Sequence, residues 1–176
     1  MTTEPFSQRK ADNRRVLRDE MRGGVAALSA RPRVLFVELS RFCNLACPMC
    51  RVPGQITKSQ TMSEELFARV AEDLFPTAEL VDLRGWGESL IVLDFPSRVR
   101  TARSYGCEVR VVTNLSFHRR EALDALIDAR AYVGVSVDAA SPELLRRLRG
   151  GANLARIRAN LAYLGTAYAR SLPAKQ

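Results

Sequence analysis

Three cysteines, Cys43, Cys47 and Cys50, stand within eight residues of a 176-residue chain that has four in all. Thiolates are soft ligands, and three of them on so tight a loop suit iron in a cluster or a zinc ion. A structural zinc site wants four ligands and no vacancy, and the remaining candidates for its fourth are Cys107 and His118. Cys107 directly precedes an expected strand, which puts it at the opposite end of the sheet from the cysteine loop. His118 would have to reach across a neighbouring strand. A cubane cluster needs only three protein corners here and leaves one iron open to another ligand. Cys107 then reads as a small buried hydrophobe.

The elements that must hold this loop are legible in the apolar patterning. Residues 34–40, Val-Leu-Phe-Val-Glu-Leu-Ser, read as a buried strand ending just before the loop. Thr61 and Glu64 have capping-box spacing, and Leu66, Phe67, Val70, Ala71, Leu74 and Phe75 then fall on one helical face. Further strands are expected at 80–83, 109–112 and 132–137, with helices at 96–105 and 119–130 between them. Ser141 and Pro142 open another helix, and Leu154, Ile157, Leu161, Leu164 and Tyr168 form the stripe of the last one.

Strands alternating with single crossover helices predict an α/β fold: about four parallel βα units curled into a partial, TIM-like (β/α) barrel. Ligand sites of such sheets lie at the carboxyl ends of the strands. Four polar segments fall there: the cysteine loop, residues 85–88, Thr113 with Asn114, and Ser136 with Asp138. Glu38, Asp82 and Arg84 occupy alternating strand positions, facing either a substrate in the barrel interior or one another in a buried pairing. Residues 1–30 read as a basic helical extension, with a helix at about 7–22 ended by Gly23 and Gly24, and residues 31–176 as the core.

The segment Glu38-Leu-Ser-Arg-Phe-Cys43-Asn-Leu-Ala-Cys47-Pro-Met-Cys50 resembles the cluster loop of the radical S-adenosylmethionine (radical SAM) enzymes. The resemblance implies a [4Fe-4S] cluster on the three cysteines, with the amino and carboxylate groups of S-adenosylmethionine on the fourth iron. It implies that the backbone of Met49 packs near the adenine, its side chain being equally a core filler of the loop, and that Gly87 and Glu88 of Gly85-Trp86-Gly87-Glu88 meet the ligand ammonium, a cation to which a carboxylate is suited. Trp86 stands where many members have Gly, and Ser89 where many have Pro. Thr113 and Ser136 match polar strand ends that contact the ligand, and Arg149 of Arg149-Gly150-Gly151 matches an arginine that pairs with its carboxylate. Read without the resemblance, Thr113 and Ser136 are equally turn or cap residues, and Arg149 a solvated arginine.

The implied activity is reductive cleavage of S-adenosylmethionine to a 5′-deoxyadenosyl radical that abstracts hydrogen from a substrate the sequence does not identify, with an external electron donor. The alternative is a noncatalytic iron–sulfur accessory module that needs a partner chain. The resemblance runs over about residues 34–165, whereas family members generally continue through two more βα units. The expectation is therefore a truncated core whose fourth strand has an edge covered by a partner chain or a second copy.

Composition narrows the rest. With 47% hydrophobic and 26% charged residues the chain has the make-up of a globular domain, and it carries no apolar run long enough for a membrane span and no apolar leader. A cytoplasmic protein without membrane partners is expected. The formal charge of +8 is concentrated at the ends, since residues 144–176 carry seven basic and no acidic groups. The arginines are scattered through helices rather than interleaved with aromatics on one element, which argues against a nucleic-acid reader.

Overall fold

The computed structural model describes residues 4–50 and 60–171. Its strands β1 (Val34–Phe36), β2 (Leu80–Asp82), β3 (Glu108–Thr113) and β4 (Tyr132–Val135) form one parallel sheet in the order β1-β2-β3-β4. Helices α2 (Glu64–Leu74), α3 (Phe95–Ser104) and α4 (Arg120–Asp128) make the crossovers, α5 (Pro142–Leu148) and α6 (Leu154–Ser171) follow β4, and α1 (Glu4–Arg22) precedes the sheet. This is the α/β arrangement read from the sequence.

The apolar alternation of the strands decides which face is covered. Leu35, Val81, Val109 and Val111 are buried against helices whose own buried residues include Phe67, Val99, Leu126 and Ile157. Phe75 is fully buried and meets Phe67 and Tyr105 edge-on, at 5.7 and 5.9 Å between ring centroids. The alternate strand residues Val34, Phe36 and Tyr132 lie on the other, concave face and are exposed.

Helix α1 closes the amino ends of the strands. Lys10, buried, donates from Nζ to the Ala78 carbonyl at 2.5 Å and sits 3.3 Å from Cys107 Sγ; the Phe6 ring meets Tyr105 at a tilt, 4.9 Å between centroids.

Several boundaries differ from the sequence reading for local reasons. The first strand pairs only over Val34–Phe36: Val37 N–H makes a last bond to the Asp82 carbonyl at 2.9 Å, and residues 38–40 then leave the ladder, with Leu39 accepting from Met62 N–H at 2.8 Å and Ser40 bridging to Thr61. Thr61 is not a helix cap. Its hydroxyl shares a 2.8 Å hydrogen bond with Ser40, and Ser63 caps α2 by accepting from Leu66 N–H at 3.1 Å. Leu66 and Leu161, assigned to buried stripes, are exposed. The segment between Cys50 and Gln60, and the last five residues of the expected core, lie outside the described residues.

Candidate functional site

The cysteine loop is clamped from two sides by backbone that only glycine allows. On one side Gly87 N–H donates to the Ser40 carbonyl at 3.2 Å and Glu88 N–H to the Phe42 carbonyl at 2.9 Å. A Cβ on Gly87 would collide with the carbonyls of Ser40 and Phe42. On the other, Ala46 N–H donates to the Gly150 carbonyl at 2.9 Å, and a Cβ on Gly150 would strike Ala46.

Side chains complete the clamp. Asn114 donates from Nδ2 to Asn44 Oδ1 at 3.0 Å, and Asn44 donates from its own Nδ2 to the Ser116 carbonyl at 2.9 Å. Leu115 between them has φ of 50°, a left-handed turn that lets Asn114 and Ser116 both face the loop.

Glu88 is 2% exposed and accepts three hydrogen bonds: at Oε1 from Leu90 N–H (3.2 Å) and the Thr113 hydroxyl (2.8 Å), and at Oε2 from Asn114 N–H (2.8 Å). A carboxylate has about four acceptor positions, so one on Oε2 is left. No Lys, Arg or His among the described residues is within ion-pair distance of it. Burial pushes its pKa to about 7 in spite of the three donors.

Cys43, Cys47 and Cys50 line one cleft of about 650 Å³ with Glu88, Thr113 and Asn114. Met49 and Ser136 line it too, and so do Trp86, Arg84 and Arg149. Arg149 donates from Nε to Asp138 Oδ2 at 2.5 Å and lies against Cys47, so its charge is already engaged by protein groups. Burial raises the Cys43 and Cys47 thiols above the ordinary value; the Leu45 N–H works against this at Cys43, and the Arg149 charge at Cys47.

The alternative fourth ligands are elsewhere. Cys107 is fully buried among Lys10, Phe75 and Ala78 at the far end of β3, and His118 is exposed and outside the cleft. Among the described residues no three Cys, His, Asp or Glu side chains converge as ligands of one metal ion. Thiolates on separate corners of a cubane stand farther apart than ligands of one ion, and the all-sulfur donor set on an accessible loop fits a cluster.

A family model described as the radical SAM superfamily matches residues 37–170. The chain belongs to that superfamily. Its cofactors are a [4Fe-4S] cluster and S-adenosylmethionine. Among relatives, the PqqA peptide cyclase of Rhodopseudomonas palustris is 29% identical over 133 residues, which are 74% of this chain and 35% of that protein. The structure of Streptococcus suis SuiB bound to S-adenosylmethionine superposes with a TM-score of 0.66 at 18% identity, covering 88% of this chain and 36% of SuiB. BtrN in complex with AdoMet and 2-DOIA gives 0.53 at 20% identity over 72% of this chain and 54% of BtrN. The chain thus spans about a third of the length of the first two. The radical SAM fold accounts for the parallel sheet and for a cleft at its carboxyl rim.

Sequence reasoning did not single out Asn44, Ser116 or Arg41, all at this rim. Asn44 was within sight, as the polar residue next to Cys43 inside the cysteine motif.

Proposed function

We propose that this chain binds a [4Fe-4S] cluster on Cys43, Cys47 and Cys50 and S-adenosylmethionine beside it, and acts as a radical SAM enzyme. The observation that carries the reading is Glu88: a buried carboxylate with a spare acceptor position and no protein counter-ion, on the wall of the cleft that holds the three cysteines. A ligand ammonium supplies the missing cation and favours the ionised form of Glu88. A cluster held by Cys43, Cys47 and Cys50 would supply the electron for reductive cleavage of S-adenosylmethionine to methionine and a 5′-deoxyadenosyl radical able to take hydrogen from a substrate.

The residues of this chain position and shield. Gly87 lets the Glu88 segment lie against the cysteine loop, Thr113 and Asn114 fix the carboxylate, and Asn44 ties the loop to the end of β3. Met49, 55% exposed at the cleft mouth, offers apolar cover for the adenine, and the Ser136 hydroxyl faces the same space as a polar contact. Arg149 serves the cysteine side, its charge beside Cys47 offsetting thiolate charge, and reaches a ligand carboxylate only by sharing with Asp138. An external donor provides the electron, and a peptide is the substrate class suggested by the names of the relatives, a peptide cyclase and SuiB, solved with its precursor peptide SuiA.

The test is to incubate anaerobically reconstituted protein with dithionite and S-adenosylmethionine and to quantify 5′-deoxyadenosine and methionine. Equimolar formation of both, lost in Cys43→Ala, supports an enzyme. Cluster binding without cleavage would instead support an accessory iron–sulfur module completed by a partner chain.

A further inference from the structure

The concave face of the sheet holds a charge arrangement to which the proposed cluster and S-adenosylmethionine sites assign no role. Register places Phe36, Asp82, Arg110 and Tyr132 side by side in one row across all four strands. Asp82 is fully buried, and its Oδ2 takes hydrogen bonds from both Arg84 (Nε 2.7 Å, Nη2 2.6 Å) and Arg110 (Nε 2.5 Å).

One carboxylate thus faces two guanidiniums, whose side chains remain 39% and 35% exposed. Arg110 spends only its Nε–H, leaving its terminal N–H groups without a partner among the described residues. Both cations flank the exposed Phe36 ring, at 5.4 and 5.8 Å from its centroid. On the other side Tyr132 is exposed, and the Val112 side chain packs close over Gly134. Glu38, also expected to face the barrel interior, accepts at Oε1 from the Trp86 N–H at 2.5 Å. Arg84, two residues further along the chain than Asp82, also lines the cleft that contains the cysteines and so links the row to it.

A lone structural partner for Asp82 would need one arginine. Two, both solvent-accessible and both braced on an aromatic ring, make a fixed fork with unspent donors. We propose that Arg84 and Arg110 form a subsite for a carboxylate of the substrate, with Phe36 and Tyr132 packing the apolar or aromatic body next to it. The proposal rests on the radical SAM reading, because the subsite orients the neighbouring carbon–hydrogen bonds toward the cleft only if the chemistry takes place there.

The probes are 3-phenylpropanoate and its neutral isostere 3-phenylpropanamide, titrated into reconstituted protein by saturation-transfer NMR. The acid is expected to bind about tenfold more tightly than the amide, and Arg110→Gln to remove that preference while Arg110→Lys keeps part of it. Equal binding of acid and amide by the parent protein would overturn the subsite, and this comparison holds even if Arg110→Gln does not fold. Retention of the full acid preference by Arg110→Gln would overturn it as well. Cleavage of S-adenosylmethionine by the same preparation without probe is read separately. Its absence in the parent counts against the enzyme reading, whereas cleavage with no acid preference counts against the subsite alone.

Discussion

Glu88 brings a carboxylate into a place where only neutral donors meet it, and the cost of that placement shows as a pKa of about 7 against an ordinary 4.5. A cation arriving at the cleft removes the mismatch. Glu88→Gln keeps the shape but not the charge, so S-adenosylmethionine affinity is expected to fall by about 1.5–3 kcal/mol at pH 8 with iron content unchanged, measured by equilibrium binding. For the parent protein, affinity should also drop as pH falls below about 7, since the ligand competes with a proton for the same group. The effect on stability has the opposite sense. A folded pKa above the unfolded one means the stabilisation is complete below about pH 4.5 and is lost as pH rises through about 7. Over that interval the parent should lose about 3 kcal/mol relative to Glu88→Gln, visible in urea denaturation. A parent and variant with parallel pH–stability profiles would contradict the assigned burial.

At the scale of elements, the cysteine loop is held by close backbone approaches more than by side chains, and the glycines report it. Gly87→Ala is expected to cost about 1–3 kcal/mol and to lower iron loading, because its Cβ would push the carbonyls of Ser40 and Phe42 and with them the loop. Gly165→Ala, in α6 with open space around it, should instead raise stability by about 0.5–1 kcal/mol and leave iron loading alone. Thermal melts and iron assays of the two variants separate contact from generic glycine effects. The same approaches explain what could be read beforehand. The βα alternation, the cysteine loop and the Gly87-Glu88 segment were legible because periodicity and local motifs encode them. The mistaken cap at Thr61 came from two hydroxyl residues two positions apart, Thr61 and Ser63, whose roles are decided by the contact of Thr61 with Ser40. The joint hold of Arg84 and Arg110 on Asp82 depends on the β2–β3 register, and the Asn44–Asn114 link spans residues far apart in sequence, so neither was legible from spacing. The ion pair of Arg149 with Asp138 joins the residue that ends α5 to the turn before it, eleven residues away, so it too was not legible from spacing.

For the whole molecule, one helix-covered face and one open concave face leave β4 as an edge, with no strand beyond it among the described residues. Ser136 N–H is already bonded to the Thr113 carbonyl, so by alternation the Val135 and Val137 N–H groups are the ones turned outward. If a partner chain or second copy covers this edge, those two amides should exchange quickly in the isolated chain and slowly in an assembly larger than 19.6 kDa, as NMR-detected hydrogen exchange would show. No helix among the described residues is long and apolar enough to cross a membrane. The central claim is that three cysteines of one loop hold a cluster whose remaining iron takes S-adenosylmethionine, and the most direct measurement is electron paramagnetic resonance of the dithionite-reduced, reconstituted protein with and without that ligand. The account predicts a [4Fe-4S] signal that shifts on adding S-adenosylmethionine, persists in Cys107→Ala, and is absent in Cys43→Ala, Cys47→Ala and Cys50→Ala. A signal indifferent to S-adenosylmethionine, or one lost as fully in Cys107→Ala as in the loop variants, would contradict it.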